Sequence, residues 1–253
     1  MTIKTAKEIT AMRESGRMLA TVLELLRIEA KPGLSPRDMA TIAEQELQRL
    51  GVTSPFLGVP GPPPYPDVIC ISVNDAVQHS IPSNQPFKAG DVVNFDFGVT
   101  YDDMITDGGI TVCIGNRPTA DAARLIHGTQ HALEHALTVV KDGVHVGDIS
   151  AIIEETLRSY KLGIVRELTG HGVGYELHED PDIFNYGKAG TGPVLRSGMT
   201  VAIEPIATLG RPGIYQDMDG WTLRTQDGSL AAQFEHTVLV TDNGCEVLTQ
   251  VRG

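Results

Sequence analysis

The sequence predicts an α+β fold: two pseudo-symmetric α/β halves sharing a central antiparallel sheet, with helices outside. Three observations carry that expectation. Lys31-Pro32-Gly33-Leu34, with Asp38, Met39, Ile42, Glu44 and Leu47 after it, lies over Lys141-Asp142-Gly143-Val144, with Asp148, Ile149, Ile152, Glu154 and Leu157, at an offset of 110 residues. Gly90-x5-Asp96 returns as Gly198-x5-Glu204 at an offset of 108, each passing through a valine, Val93 and Val201. Asp107, followed by Ile110 and Val112, matches Glu235, followed by Val238 and Val240. A register kept through helical and strand-like stretches argues for a duplicated supersecondary unit. Two units do not make a solenoid. The halves, about 1–117 and 118–253, should therefore pack about a pseudo-twofold as one domain spanning 1–253.

Residues 6 to 30 carry Ile9, Met12, Met18, Leu19, Val22 and Leu26 at a helical period. Ser35-Pro36-Arg37-Asp38 starts a second helix, with serine as N-cap and proline in the first turn, running to about Leu50. The Pro/Gly stretch from Leu57 to Pro66 cannot be a regular element and is too short for a domain linker, so it reads as a rigid loop lining something. A short strand is expected over 68–73, then Asn74-Asp75 and a polar segment ending at His79. Val92 to Val99 and Met104 to Ile114 form two β-rich runs around the polar turn Tyr101-Asp102-Asp103. Helices at about 119–140 and 147–160 repeat the first pair, and a strand at 163–168 leads into the glycine-rich segment Thr169 to Gly174. From Gly198 onward the chain reads as antiparallel strands interrupted by a turn-rich insert at 209–229.

A chain of 253 residues can bury one sizeable core. Its formal charge of -12 argues against nonspecific nucleic-acid binding, which needs a basic face. The cysteines Cys70, Cys113 and Cys245 are scattered, with no C-x-x-C pair, which suits free thiols in a reducing compartment. The opening residues are amphipathic and charged, unlike a secretory signal, and no apolar run approaches the roughly 20 residues that span a bilayer. The expectation is a soluble, cytoplasmic protein with neither membrane nor nucleic acid as partner.

Asp96 and Asp107 sit among Phe95, Phe97, Ile105 and Ile110, where a carboxylate loses hydration and must be paired, protonated or bound to metal. A lone acid there would read as a solvent-facing strand residue. Its copy, Glu204 and Glu235, argues otherwise, because four acids meeting from equivalent places are tolerable mainly around cations. His171, flanked by Gly170, Gly172 and Gly174, is the candidate nitrogen ligand, since glycines let the backbone turn sharply beside a site. Four carboxylates and one imidazole are too acidic for a structural zinc, and suit a pair of divalent cations such as Mn, Fe, Co or Zn. Such a pair acidifies a water and polarises a carbonyl, the chemistry of amide or ester hydrolysis. His131-Ala132-Leu133-Glu134-His135 fits the H-x-x-E-H zinc pattern, but His127, His131, Glu134 and His135 fall opposite the apolar face of their helix and read as a solvated surface. No G-x-S-x-G or P-loop supports serine hydrolysis or nucleotide chemistry.

At these residues the chain resembles the type I methionine aminopeptidases, which have the pita-bread fold. The matching motifs are Ser72-x-Asn74-x4-His79-x-Ile81-Pro82, Asn94-x-Asp96-x10-Asp107, Gly170-His171-Gly172-Val173-Gly174-x3-His178-Glu179-x-Pro181, Glu204-Pro205, Gly220-Trp221-Thr222 and Gln233-Phe234-Glu235-His236-Thr237, and they span essentially the whole chain. The resemblance implies metal-dependent removal of N-terminal methionine from nascent polypeptides with a small second residue. It implies that Asp96 chelates one of two divalent ions, that Asp107 and Glu235 bridge both, and that His171 and Glu204 complete the other. Glu204 would also shuttle a proton, His178 would stabilise the oxyanion, and His79 would contact the scissile amide. Tyr65, Cys70, Leu177 and Trp221 would line the substrate pocket. The expected partners are nascent N-termini, with transient ribosome association and a monomeric chain.

The sequence departs from the family pattern in the loop Gly61-Pro62-Pro63-Pro64-Tyr65-Pro66, at Leu177 in place of a common phenylalanine, at Ser80 in place of glycine, and around Asp107, where Thr106 precedes it and Gly108-Gly109 follow. These departures keep a paralogue with altered residue preference as an alternative. A prolidase or X-Pro aminopeptidase of the same fold would usually carry an additional N-terminal domain. A noncatalytic peptide-binding module would have lost a ligand, and none is lost.

Overall fold

The computed structural model describes residues 2–250. The first half contains α1 (Ala6–Glu29), α2 (Pro36–Leu50), β1 (Cys70–Val73), β2 (Ala76–Gln78), β3 (Val92–Tyr101) and β4 (Met104–Cys113). The second contains α3 (Ala120–Leu137), α4 (Val146–Ser159), β5 (Gly163–Ile164), β6 (Thr169–Gly172), β7 (Glu179–Phe184) and β8 (Thr200–Ile203). It continues with β9 (Ile206–Thr208), β10 (Ile214–Gln216), β11 (Leu223–Thr225), β12 (Ala231–Gln233), β13 (Glu235–Val240) and β14 (Cys245–Val247).

Local signals start and stop the helices. Thr5 caps α1 in a capping box with Glu8, and Ser35 caps α2 with Asp38, each satisfying amide groups that a helix start leaves open. Gly51 ends α2 in the left-handed conformation at φ 71°, which glycine adopts without a steric cost. Asp148 closes the start of α4 by accepting from the His145 amide at 3.0 Å, as Asp38 accepts from that of Ser35 at 2.7 Å.

The main sheet runs β1-β3-β4-β13-β8-β6-β7, with β14 paired to β13, and every pairing in it is antiparallel. Two three-stranded sheets, β10-β11-β2 and β12-β9-β5, flank it. Helices α1 and α2 close over β1 and β3 with Leu19, Leu26, Met39, Phe95 and Phe97 fully buried. Helices α3 and α4 bury Leu125, Ile149 and Ile153 with Val201, Ile203 and Val238. Each half thus removes its own apolar surface from water, the main favourable term in folding, and the two meet where β4 pairs β13.

Two strand expectations need correction. The strand expected over 163–168 is only Gly163–Ile164, and the glycine-rich segment is itself strand β6. Close packing explains why: an added Cβ at Gly170 would lie 2.5 Å from the Ala202 carbonyl oxygen, and one at Gly172 would lie 2.2 Å from that of Asp180. Only glycine lets β6 fit between β8 and β7. The strand expected from Val68 begins at Cys70, where pairing with Asp96 on β3 starts.

Candidate metal centre and peptide pocket

The acids come from neighbouring strands. On the β3–β4 ladder Asp96 pairs with Gly109 and Asp107 with Gly98, and β4 joins the second half through Gly109 and Glu235. Glu204 follows β8 directly, and His171 lies on β6 opposite Ala202 of β8. Asp107, His171 and Glu235 each bring one donor atom into a group within 4.8 Å, and Asp96 and Glu204 line the same cavity. The His171 Nε2 lies 3.4 Å from Glu204 Oε1 and 4.0 Å from Asp107 Oδ2. Its Nδ1 donates to the Gly172 carbonyl at 2.9 Å, which leaves the Nε2 lone pair facing the acids.

A polar relay orients Glu235. Asn94 Nδ2 donates to Gln233 Oε1 at 2.8 Å, which turns the Gln233 Nε2 toward Glu235 Oε2, also at 2.8 Å. Gly109 makes room for this amide: a Cβ there would lie 2.3 Å from Gln233 Oε1. Thr237 Oγ1 accepts from the Asp107 amide at 2.9 Å and donates to its carbonyl at 2.7 Å, tying the halves at the ligand itself. Hydrogen bonds to the residues behind a ligand are what fix its orientation.

Burial, then mutual repulsion, holds the Asp96, Glu204 and Glu235 carboxyls well above the ordinary carboxylate range. Asp107 is pushed up to about 7 by burial, partly opposed by the Gly108 N–H. Among the described residues no lysine or arginine pairs with any of the four, and the buried Glu235 Oε1 has no hydrogen-bond partner. Four buried acids with one orphaned oxygen and one imidazole lack a counter-charge. An oxygen-rich site with a single nitrogen fits divalent cations of the Mn, Fe, Co and Zn kind. His171 and His79 are both pushed down to about 4, by burial and then by His178, and burial lowers His178 as well, so all three rings are neutral near pH 7.

The acids lie at one side of a cavity of roughly 420 Å³. The other side is apolar: Phe56, Tyr65 and Cys70 with Val59, Leu177 and Trp221. The expected rigid loop is this wall. Tyr65 meets Trp221 edge to face at 5.1 Å, and Trp221 Nε1 donates to the Pro63 carbonyl at 2.7 Å. A Cβ on Gly61 would strike the Trp221 ring at 2.4 Å. His79 lines the cavity in a left-handed backbone at φ 57°, a strained conformation for a non-glycine residue, of the kind that clusters at functional sites. His178 stands edge-on to His171 with ring centroids 4.5 Å apart.

Every residue named from sequence as a ligand, proton carrier or pocket wall therefore faces one cavity. Phe56, Val59 and Gln78 line it too, and sequence reasoning does not single them out. For Gln78 the available signal is its place immediately before His79. Val59 lies within the Pro/Gly stretch read as a lining loop, and Phe56 carries no local signal beyond preceding that stretch. Helix α3 leaves His127, Glu134 and His135 exposed as expected, while the His131 Nδ1 bonds the Tyr160 hydroxyl at 3.1 Å.

Residues 10–242 match the model of metallopeptidase family M24, and the chain belongs to that family. Relatives matching this chain over nearly their whole length include methionine aminopeptidases. The chain is 40% identical to the methionine aminopeptidase of Escherichia coli (strain K12) over 251 residues, covering 98% of this chain and 94% of that one. It is 39% identical to that of Aquifex aeolicus (strain VF5) over 251 residues, 97% of each chain. The crystal structure of methionine aminopeptidase from Thermotoga maritima superimposes with a TM-score of 0.96 at 40% identity over 99% of each chain. The architecture is accordingly the pita-bread fold.

Proposed function

We propose that this chain is a metal-dependent aminopeptidase that hydrolyses the first peptide bond of polypeptides beginning with methionine, with a small second residue. The observation that carries the reading is the meeting of five ligand-type side chains and an apolar wall in one cavity, in a chain similar over nearly its whole length to methionine aminopeptidases. We assign the activity to residues 1–253 as one catalytic domain built from a duplicated unit.

Asp96, Asp107, His171, Glu204 and Glu235 would hold the two divalent ions. When bound, such ions acidify a water and polarise the scissile carbonyl. The chain's own residues do the rest. Leu177, Tyr65, Trp221 and Cys70 bury the flexible methionine thioether. Burial pushes the Cys70 thiol up, so it packs as a small neutral group. Glu204 takes the proton of the attacking water at its carboxylate and passes it to the leaving amine. Neutral His178 donates a ring N–H to the developing oxyanion, and His79 holds the scissile amide. The substrate's free α-amine is read at the acidic end, which restricts cleavage to one residue.

Among the described residues no helix is long and apolar enough to cross a membrane. A cytoplasmic, monomeric enzyme that meets nascent N-termini at the ribosome fits this reading.

The test is release of free amino acid from Met-Gly-Met-Met, Met-Ala-Ser, Leu-Ala-Ser and Ala-Pro-Ala. Metal-stripped protein is resupplied with Mn, Co, Fe or Zn, with Asp107→Asn as control. Methionine release that requires metal and is lost in the control is expected. Metal-dependent release of leucine instead would move the specificity to the 57–66 loop and Leu177. Silence on all four peptides with metal bound would overturn the enzyme reading.

A further inference from the structure

Among the described residues none makes a hydrogen bond to the His178 ring, yet its proposed role demands a fixed position. The loop bearing it, residues 174–178, links β6 to β7 and also carries Leu177. The next residue, Glu179, binds back across this loop: its Oε1 accepts from the amides of Tyr175 at 2.7 Å and Glu176 at 3.3 Å. The far side of that carboxylate is gripped by the start of the chain. Lys4 Nζ donates to Glu179 Oε2 at 3.1 Å and Oε1 at 3.3 Å, and Thr2 Oγ1 donates to Oε2 at 2.9 Å. Lys4 Nζ also reaches Thr2 Oγ1 at 2.6 Å and lies 4.6 Å from the centre of the Tyr175 ring.

The lysine is built in, not draped on the surface: its side chain is 1% exposed. Its backbone amide is anchored to the Gly198 carbonyl at 2.9 Å. Gly174, at φ +147°, leaves the space its stem fills, since a Cβ there would lie 2.4 Å from Lys4 Cε. Burial raises the Glu179 carboxyl, but the bonds from Lys4 and the Tyr175 amide outweigh it and hold the group below its ordinary value, so the pair is ionic. Removing either partner of a buried ion pair leaves the other uncompensated.

We propose that Lys4 and Glu179 are positioning residues that act through His178. The N-terminal segment locks the 174–178 loop, and the lock sets where the His178 ring stands against His171 and the scissile bond. This rests on the role proposed above for His178. A ring displaced by about 1 Å can cost on the order of a hundredfold in rate.

The experiment compares wild type, Lys4→Met, Glu179→Gln and the double variant, all Mn-loaded, on Met-Ala-Ser, with amide hydrogen exchange over 174–179 measured in parallel. Each single change should lower kcat by about 10–100-fold while KM and bound metal stay near wild type. The double variant should be no worse than the poorer single, because the two act as a unit. Exchange at Tyr175 and Glu176 should quicken while the β3–β4 amides keep their protection. If either single fails to fold, Thr2→Val removes one donor of the same lock and should give the same pattern more weakly. Unchanged kcat in the folded variants, or a loss that appears only in KM or metal content, overturns the proposal. Wild type silent on Met-Ala-Ser would sink the functional reading instead, and the exchange data would still show whether the lock exists.

Discussion

The two halves share their frame and differ at their hairpins. In the first, Gly33 donates to Phe87 at 3.0 Å and Phe87 back to Leu34 at 2.7 Å. In the second, Gly143 donates to Leu195 and Leu195 to Val144, both at 2.9 Å. Gly90 reaches the Ile114 carbonyl at 2.8 Å as Gly198 reaches that of Val240 at 2.9 Å. The hairpins then diverge. β3 and β4 pair over their whole length around a tight turn at Asp102 and Asp103, both at positive φ. β8 and β13 pair only briefly, because β9 to β12 intervene. That insert carries Trp221 across to Tyr65 of the first half. The shared frame brings two acids from each half to one cavity, whereas the insert makes the pocket one-sided. Catalytic symmetry and substrate asymmetry are thus encoded in different parts of one architecture.

Breaking the acid symmetry should have the largest effect. Asp107→Asn and Glu235→Gln, one from each half, should both lower kcat far beyond the about 10–100-fold typical of residues that only orient a ligand. Peptide hydrolysis with metal content measured alongside checks this, and activity surviving in one of the two would show that the halves are not equivalent.

The next largest effect lies where the halves supply different side chains. Asn94 and Ala202 stand two residues before Asp96 and Glu204, and their cross-strand partners are Ser72 and His171. Only the second half offers an imidazole. His171→Ala should weaken metal binding by at least about 100-fold, more than a change in an outer partner. Ser72→Ala, whose hydroxyl donates to Ser80 at 3.0 Å, should leave it unchanged. Calorimetric titration with Mn would separate the two.

Protonation sharpens the comparison further. Asp107 loses its proton near pH 7, and burial with mutual repulsion raises Asp96 of the first half and Glu204 and Glu235 of the second well above the ordinary carboxylate range. A carboxyl whose value is raised competes with metal at low pH, so affinity must fall as pH drops from 8 to 6. The expected slope is about tenfold per pH unit for each proton displaced. His171, at about 4, is already neutral throughout that window and adds nothing. An affinity flat across it would mean that the acids are not the ligands.

The smallest effect tests the frame alone. Gly33 and Gly143 have φ of +95° and +81°, and a Cβ at either meets no atom within 4 Å. Alanine at each should cost about 1 kcal/mol, purely from the left-handed backbone. Equal losses in urea unfolding are expected, and a large inequality would separate the two turns.

Much of this was legible because it is periodic or local. The helix starts at Ser35 and Thr119, the β3–β4 hairpin and the matched acids all follow from spacing within a few turns or strands. Strand β6 was not legible, since its glycines read as a loop until β7 and β8 close on either side. Phe56 gave no signal, and Gln78 none beyond standing before His79, because lining a cavity depends on which distant surfaces meet.

The sequence alone determined the helices, the strand acids and the repeat that relates them, since each rests on side-chain period and caps acting over short distances. Tertiary structure decided how those parts face one another. Glu235 stands beside Gly109 on β4, Trp221 rests on Tyr65, and Lys4 holds Glu179 from 175 residues away. Such contacts form only when burial of whole faces fixes the register of remote strands, and no local pattern carries that information.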